Sequence, residues 1–226
     1  HAGPPARFSQ LALLSYIGLY LHVAMDWLNS YGIRLLMPFS GQWFYGDALY
    51  IVDPWLYLVL GAGVFVSGRY RTMRRPDARR PARVAVAVAA GYCLVMVASN
   101  LWARQVVREG LVRAGQPVET RFMVTPVVVN PFRREVLVDT GGRYEKGEGW
   151  FGPTPRFRPS GYGVDTGLDT DAAQTALASP RARAYLGWSH FPFLVIDRSE
   201  APPRLILNDY RYSDTTGRVG WAGLGI

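Results

Sequence analysis

Cysteine is almost missing from this chain. Cys93 is the single one in 226 residues, so an intrachain disulfide framework and a cysteine metal cluster are both excluded. Histidine is scarce too, with three in all, and acids are outnumbered, 17 against 25 Lys and Arg. With no thiolate available, a metal here would take a mixed set of nitrogen and oxygen ligands. The surplus of +8 would suit nucleic acid, but much of it sits in one short stretch: Arg69, Arg71, Arg74, Arg75, Arg79, Arg80 and Arg83 face the lone acid Asp77. No nucleic-acid partner is expected on that account. From Ala103 onward the basic residues are spread among acids, sixteen against thirteen.

Long apolar runs are what the chain does have. Phe8 to Leu28, Ala48 to Val66 and Val84 to Trp102 each approach the ~20 residues a helix needs to cross a ~30 Å hydrocarbon core. The composition from about Ala103 onward is that of an ordinary soluble domain, rich in Gly and Pro. The fold class expected is therefore membrane α-helical, with three transmembrane helices, followed by a small α+β soluble domain. The boundaries are residues 1–115 for the helical region and 116–226 for the domain. Cytoplasmic loops gather Arg and Lys, so the Arg-rich loop 67–83 is expected in the cytoplasm. The second span then runs inward, the first and third run outward, and the C-terminal domain lies on the far side. Trp27, Tyr31, Trp43, Tyr45, Tyr50, Trp55 and Trp102 cluster near the outer ends, as interfacial aromatics do.

The connection 29–47 is too aromatic for a solvated linker, and Gly32, Pro38, Gly41 and Gly46 interrupt it. It reads as a re-entrant or interfacial loop over the outer mouth of the helices. Asp53-Pro54 predicts a helix start, with Asp53 as cap and Pro54 in the first turn. The third helix is expected to continue to a stop near Gly115. Strands are expected over 122–129, 135–139, 193–196 and 204–207, with one short helix from about Thr170 to Tyr185. Gly141-Gly142 and Gly161-Tyr162-Gly163 read as turns, without the context of a phosphate loop.

Candidate chemistry concentrates at the end of the first span. His22 and Asp26 stand four residues apart, so both leave one helical face a turn apart and can converge on a divalent cation. The alternative is that they bond each other or a neighbouring helix to satisfy polarity. Two ligands are fewer than the three a catalytic zinc normally takes, so Asp47, Asp53 or histidines upstream of His1 would have to contribute; Asp47 or Asp53 could also be the base that orients water. Asp53 also reads as the helix cap. Asn29 is a candidate substrate contact or a turn former, and Arg34 a phosphate partner or an interfacial anchor. Asn100 reads as an interhelical hydrogen bonder and His190 as a packed or surface residue. Ser189 and Ser199 have no nucleophile-elbow setting.

The strings His22-x-x-x-Asp26-Trp27-Leu28-Asn29-Ser30-Tyr31-Gly32, Pro38-Phe39-Ser40 and Gly46-Asp47-Ala48-Leu49-Tyr50-Ile51-Val52-Asp53-Pro54-Trp55 resemble a bacterial inner-membrane family, the membrane-bound metal-dependent hydrolases, whose best known member is regulated by LexA. Pro126, Asn130-Pro131-Phe132, Phe191-Pro192 and Asp209-Tyr210-Arg211-Tyr212 look like its tail. The resemblance implies a multi-span protein related by motif to zinc-dependent phospholipase C and P1-type nucleases. A His-Arg-Gly-x-Thr-His motif usual on an earlier helix of that family has no counterpart here. The chain starts at His1-Ala-Gly rather than at methionine, which suggests sequence upstream.

Together these readings predict a metal-dependent hydrolase of the bacterial inner membrane, multi-pass, with a periplasmic domain and membrane lipids around it. It would act on a phosphoester or lipid-linked substrate at the outer face. His22 and Asp26 would bind the divalent metal, zinc first and manganese second. Asp47 and Asp53 would be catalytic, and Asn29 and Arg34 would contact substrate. The competing expectation is a non-catalytic, membrane-anchored scaffold or binding protein of the envelope. A transporter has little support, since three spans show no inverted symmetry.

Overall fold

A computed structural model of the chain describes residues 7–151, 156–199, 203–214, 216–218, 220 and 222–225. Three long helices come first: α1 (Phe8–Leu28), α2 (Pro54–Thr72) and α3 (Arg80–Arg113). Of these, α1 and α3 are long and apolar enough to cross a membrane. At 19 residues, α2 is shorter and turns polar at its end, where Arg69 and Arg71 lie in the last turn. The expected set of three apolar spans thus resolves into two clear candidates and a third, more polar helix.

The α2 helix starts where the Asp-Pro pair predicts. Asp53 Oδ1 accepts from the backbone N–H groups of Trp55 and Leu56 at 3.0 and 3.2 Å, filling donors that a helix start otherwise leaves orphaned. Gly63 lets α2 and α3 approach closely, because a Cβ there would come within 2.3 Å of Ala85 Cβ. Along α3, Tyr92 lies level with Asp53, donating its hydroxyl to Asp53 Oδ2 at 2.8 Å. The 21 residues beyond Tyr92 therefore carry α3 about 30 Å past the start of α2, at ~1.5 Å per residue. No residue of α1 is buried. It joins the rest through its C-terminal end, where Trp27 and Leu28 carbonyls accept from Gly46, Ala48 and Leu49.

The projecting part of α3 is the floor of the second region. One antiparallel sheet runs β1 (Phe122–Pro126), β2 (Arg133–Asp139), β3 (Arg143–Trp150) and β4 (Arg156–Asp165) in that order. Side chains alternate across a strand. Val124, Val136 and Val138 thus pack on Ala103, Val107 and Leu111 of α3, while Met123 and Leu137 face the other way. That second face meets Phe191, Phe193 and Tyr210. They belong to the region of a smaller antiparallel sheet of β5 (Pro192–Asp197), β6 (Arg204–Asp209) and β7 (Leu224–Gly225).

Two differences from the sequence reading have plain causes. The single helix expected near 170–185 is two, α4 (Asp171–Leu177) and α5 (Pro180–Trp188), because Ser179-Pro180 stops one and caps the next, Ser179 Oγ accepting from Ala182. Strands β3 and β4 were not expected at all. Their sequences carry Gly, Pro and alternating charge rather than β-branched residues, and they form because the Gly141-Gly142 turn folds β3 back onto β2 in register.

Candidate functional site

The sequence-selected residues do not come together as one constellation. His22 Nε2 lies 3.2 Å from Asp26 Oδ2, so the i, i+4 spacing brings them into contact, but their side chains are 75% and 37% exposed. They line an open groove of about 490 Å³ between α1 and α2, shared with Asn29, Asp53 and Tyr57. Asp53 there is committed on both oxygens, to the α2 start and to Tyr92. Among the described residues no group of three His, Cys, Asp or Glu stands close enough to hold a metal. The pair alone is one donor short of the usual protein set for a catalytic zinc, so these residues as placed do not fit such an ion. His1 lies outside the described residues.

Asn29 ends α1 and turns the chain, its Oδ1 accepting from Tyr31 N–H at 2.7 Å and Gly32 N–H at 3.3 Å. Arg34 is exposed and rests its guanidinium over the Trp43 ring, 5.3 Å from the centroid. Asn100 reaches across from α3 to the Gly46 carbonyl at 3.2 Å, a tie between α3 and the loop.

Asp47 is placed differently from Asp26 and Asp53. It is fully buried, sits at φ 52, and pairs its Oδ2 with Arg104 Nη2 of α3 at 2.9 Å, while Oδ1 has no partner among the described residues. Burial pushes its carboxyl up to about 6, against the opposing pull of the Arg104 and Arg211 charges. Its neighbour Gly46 is obligatory, since a Cβ would stand 2.6 Å from the Trp27 carbonyl oxygen.

The densest polar cluster is one the sequence reading did not assemble. It lies where the 29–53 loop meets the ends of α5 and β6. Arg211 bonds Asp209 through Nε and Nη2 at 2.8–3.0 Å and sends Nη1 to the Ser30 carbonyl at 2.6 Å. Both members of this pair are essentially inaccessible. Burial works against each charge and is outweighed by the partner, so the Asp209 carboxyl is held below its ordinary value and Arg211 above its own. Asp209 Oδ2 also accepts from Ser189 Oγ at 2.6 Å and from the His190 backbone N–H at 2.9 Å.

Aromatic rings enclose the guanidinium. Tyr45, Trp188 and Tyr212 each stand 5.0–5.2 Å from Arg211 Cζ. Tyr45 donates its hydroxyl to the Trp188 carbonyl, and Trp188 Nε1 donates back to the Tyr31 carbonyl at 3.1 Å. His190 stacks on Tyr45 at 4.4 Å. Burial, with the Arg211 and Arg121 charges, lowers its imidazole to about 4, and its Nδ1 has no partner among the described residues. His190 is thus a packed, neutral histidine.

Ser189, His190 and Asp209 are neighbours, but the hydroxyl donates straight to the carboxylate, and the imidazole accepts no proton from it. A nucleophile relay requires the base between the two. What the cluster does physically is fasten the 29–53 loop to the β domain. The motif Asp209-Tyr210-Arg211-Tyr212 was the signal for it: an Arg between two aromatics, two residues after an Asp.

Residues 3–103 match the model of a family described as YdjM inner membrane protein, a span that covers α1, α2 and the apolar part of α3 but less than half of the chain. That description speaks of the inner membrane, and neither hydrolysis nor a metal enters it. No curated protein and no solved structure matches the chain.

Proposed function

We propose that this is a multi-pass protein of the bacterial inner membrane whose C-terminal domain, residues 116–226, is held at the periplasmic face as a non-catalytic binding module or scaffold of the envelope. The family match over residues 3–103 and the apolar helices α1 and α3 support the membrane setting. The α2–α3 hairpin, with the arginines of 67–83 at its tip, supports a cytoplasmic loop and an outward domain. One observation carries the module reading. The Asp209–Arg211 pair, buried on both sides, is spent on the Ser30 carbonyl and ringed by aromatics, so it ties the domain to the 29–53 loop instead of facing a substrate.

A hydrolytic reading keeps one point in its favour, the convergence of His22 and Asp26 on a groove that also contains Asn29 and Asp53. In that reading they would hold zinc or manganese, Asp47 or Asp53 would orient water, and Asn29 and Arg34 would meet a phosphoester-bearing lipid. It needs at least one more ligand, and Asp47 is closed off by Arg104.

The test is metal content of the purified full chain beside His22→Ala, with hydrolysis of phosphoester lipids as second readout. The module reading expects no stoichiometric zinc or manganese in either protein. Stoichiometric metal in the wild type that His22→Ala loses, together with hydrolysis, would refute it.

A further inference from the structure

The turn joining β1 to β2 has an unusual surface for a loop of a soluble domain. Val128, Val129 and Phe132 are all exposed, and Phe132 pairs with the exposed Trp150 at 5.8 Å. Val129 also adopts φ 70, a left-handed conformation that suits Gly or Asn and is strained for a β-branched residue. Asn130, which would accept that conformation readily, stands next in line. What valine adds at this position over Gly or Asn is apolar surface.

The level of this turn is set by two hydrogen bonds. Trp55 in the first turn of α2 donates its Nε1 to the Val129 carbonyl at 2.8 Å. Arg134, two residues past Phe132, reaches Ser99 of α3 at 3.0 Å, about two turns beyond the Tyr92 that marks the start of α2. If α2 spans the hydrocarbon core, which is part of the function proposed above, its 19 residues cover about 28 Å, nearly the whole ~30 Å thickness. Trp55 then lies at the outer boundary of the core, where interfacial tryptophans sit, and the β1–β2 turn lies beside it.

Directly behind the tip is a cationic groove. Arg133, Arg156 and Arg158 line it with Trp150 and Tyr162, against one acid, Glu148, which Arg133 bonds at 2.6 Å. The register explains the gathering: Arg133 lies opposite Trp150, Trp150 opposite Arg156, and Glu148 opposite Arg158, so all are on one face of the sheet. Farther along that face Leu137 is covered by Phe191 and Phe193, whereas Trp150 at the other end is exposed among the described residues.

We infer that the β1–β2 turn dips into the outer leaflet, Val128, Val129 and Phe132 entering the acyl boundary, while Arg133, Arg156 and Arg158 take the phosphates of anionic phospholipid. The occupant is the lipid surface because the apolar tip is tied to the end of a helix that itself enters it. Apolar residues at the boundary with arginines one layer farther out are the arrangement an anionic interface favours.

Site-directed nitroxide labels on the full chain test this, in a Cys93→Ala background reconstituted into phosphatidylcholine bilayers with or without phosphatidylglycerol. Labels go on Val128→Cys and, independently, Phe132→Cys. Val64→Cys in mid α2 and Glu119→Cys beyond the end of α3 serve as lipid and water references. The expected result is collision with oxygen at Val128 and Phe132, with loss of the nickel-chelate broadening seen at Glu119. Phosphatidylglycerol should shift both labels deeper, and Arg156→Gln with Arg158→Gln should abolish that shift. Nickel-accessible labels at both tip positions, with Val64 still in lipid, would overturn the inference alone. A water-exposed Val64 would overturn the spanning of α2 and the inference with it. If inorganic phosphate over phosphatidylcholine reproduced the shift, the groove would be a free-anion site and the lipid assignment would fall.

Discussion

Two buried groups at the loop–domain seam titrate in opposite senses over the same pH range, and this can be read as stability. The Asp47 carboxyl moves from 3.8 to about 6 on folding, so between those values the folded chain holds the proton that the unfolded chain has released. At ~1.4 kcal/mol per pH unit, its contribution is largest below pH 4 and falls by about 3 kcal/mol as pH rises to 6. The His190 imidazole moves the other way, from 6.5 to about 4, so in that window the unfolded chain is the one that binds the proton. Its contribution is smallest below pH 4 and grows by about 3 kcal/mol as pH rises to 6.5.

In the wild type the two slopes oppose each other, so these groups together should make stability less pH-dependent between pH 4 and 6.5 than either would alone. Asp47→Asn removes one slope and keeps the left-handed backbone, which Asn tolerates. Relative to wild type it should gain about 3 kcal/mol on going from pH 4 to 6.5. His190→Phe removes the other slope while retaining a ring against Tyr45, and should lose a similar amount. Urea titration of the full chain in lipid nanodiscs, read by pulse proteolysis, measures both. The other carboxylates are common to all three proteins and drop out of the differences. If both variants followed the wild-type pH profile, or both departed from it with the same sign, the assignment of these two groups would be wrong.

Two further substitutions probe the same seam. Arg211→Met leaves Asp209 buried without its cation and should cost about 3–5 kcal/mol, with part of the loss recovered when Asp209→Asn is added; equal stability of the single and double variants would count against a buried ion pair. Gly46→Ala forces a Cβ against the Trp27 carbonyl at 2.6 Å and should cost about 1–3 kcal/mol in the same urea assay, whereas Gly141→Ala, with nothing near its Cβ, should show only the smaller penalty of its positive φ.

What could be read directly from the residues was whatever depends on short-range order. Hydropathy marks the apolar stretches, Asp53-Pro54 starts α2, and the arginine cluster identifies the tip of the α2–α3 hairpin, because each of these signals acts within a few turns of chain. The i, i+4 spacing likewise brings His22 to Asp26, since helix geometry alone sets that distance. The same local reading could not tell that Arg104 would close off Asp47 or that Tyr92 would take the second oxygen of Asp53 beyond its capping role, because those partners are 57 and 39 residues away.

Strands β3 and β4 were equally hidden. Their side chains do not announce a sheet, and it is the pairing with β2 that makes them strands. The Arg211 cluster was present in the sequence only as a short aromatic motif. It becomes a fastening when folding brings Ser30, some 180 residues distant, within reach of its guanidinium. Local propensity and hydropathy determined where the three long helices lie and how apolar each is. Which charges are neutralised, which carboxylates are closed off and where the domain sits on the helices depended on contacts made across the whole chain, and these exist only in the assembled tertiary structure.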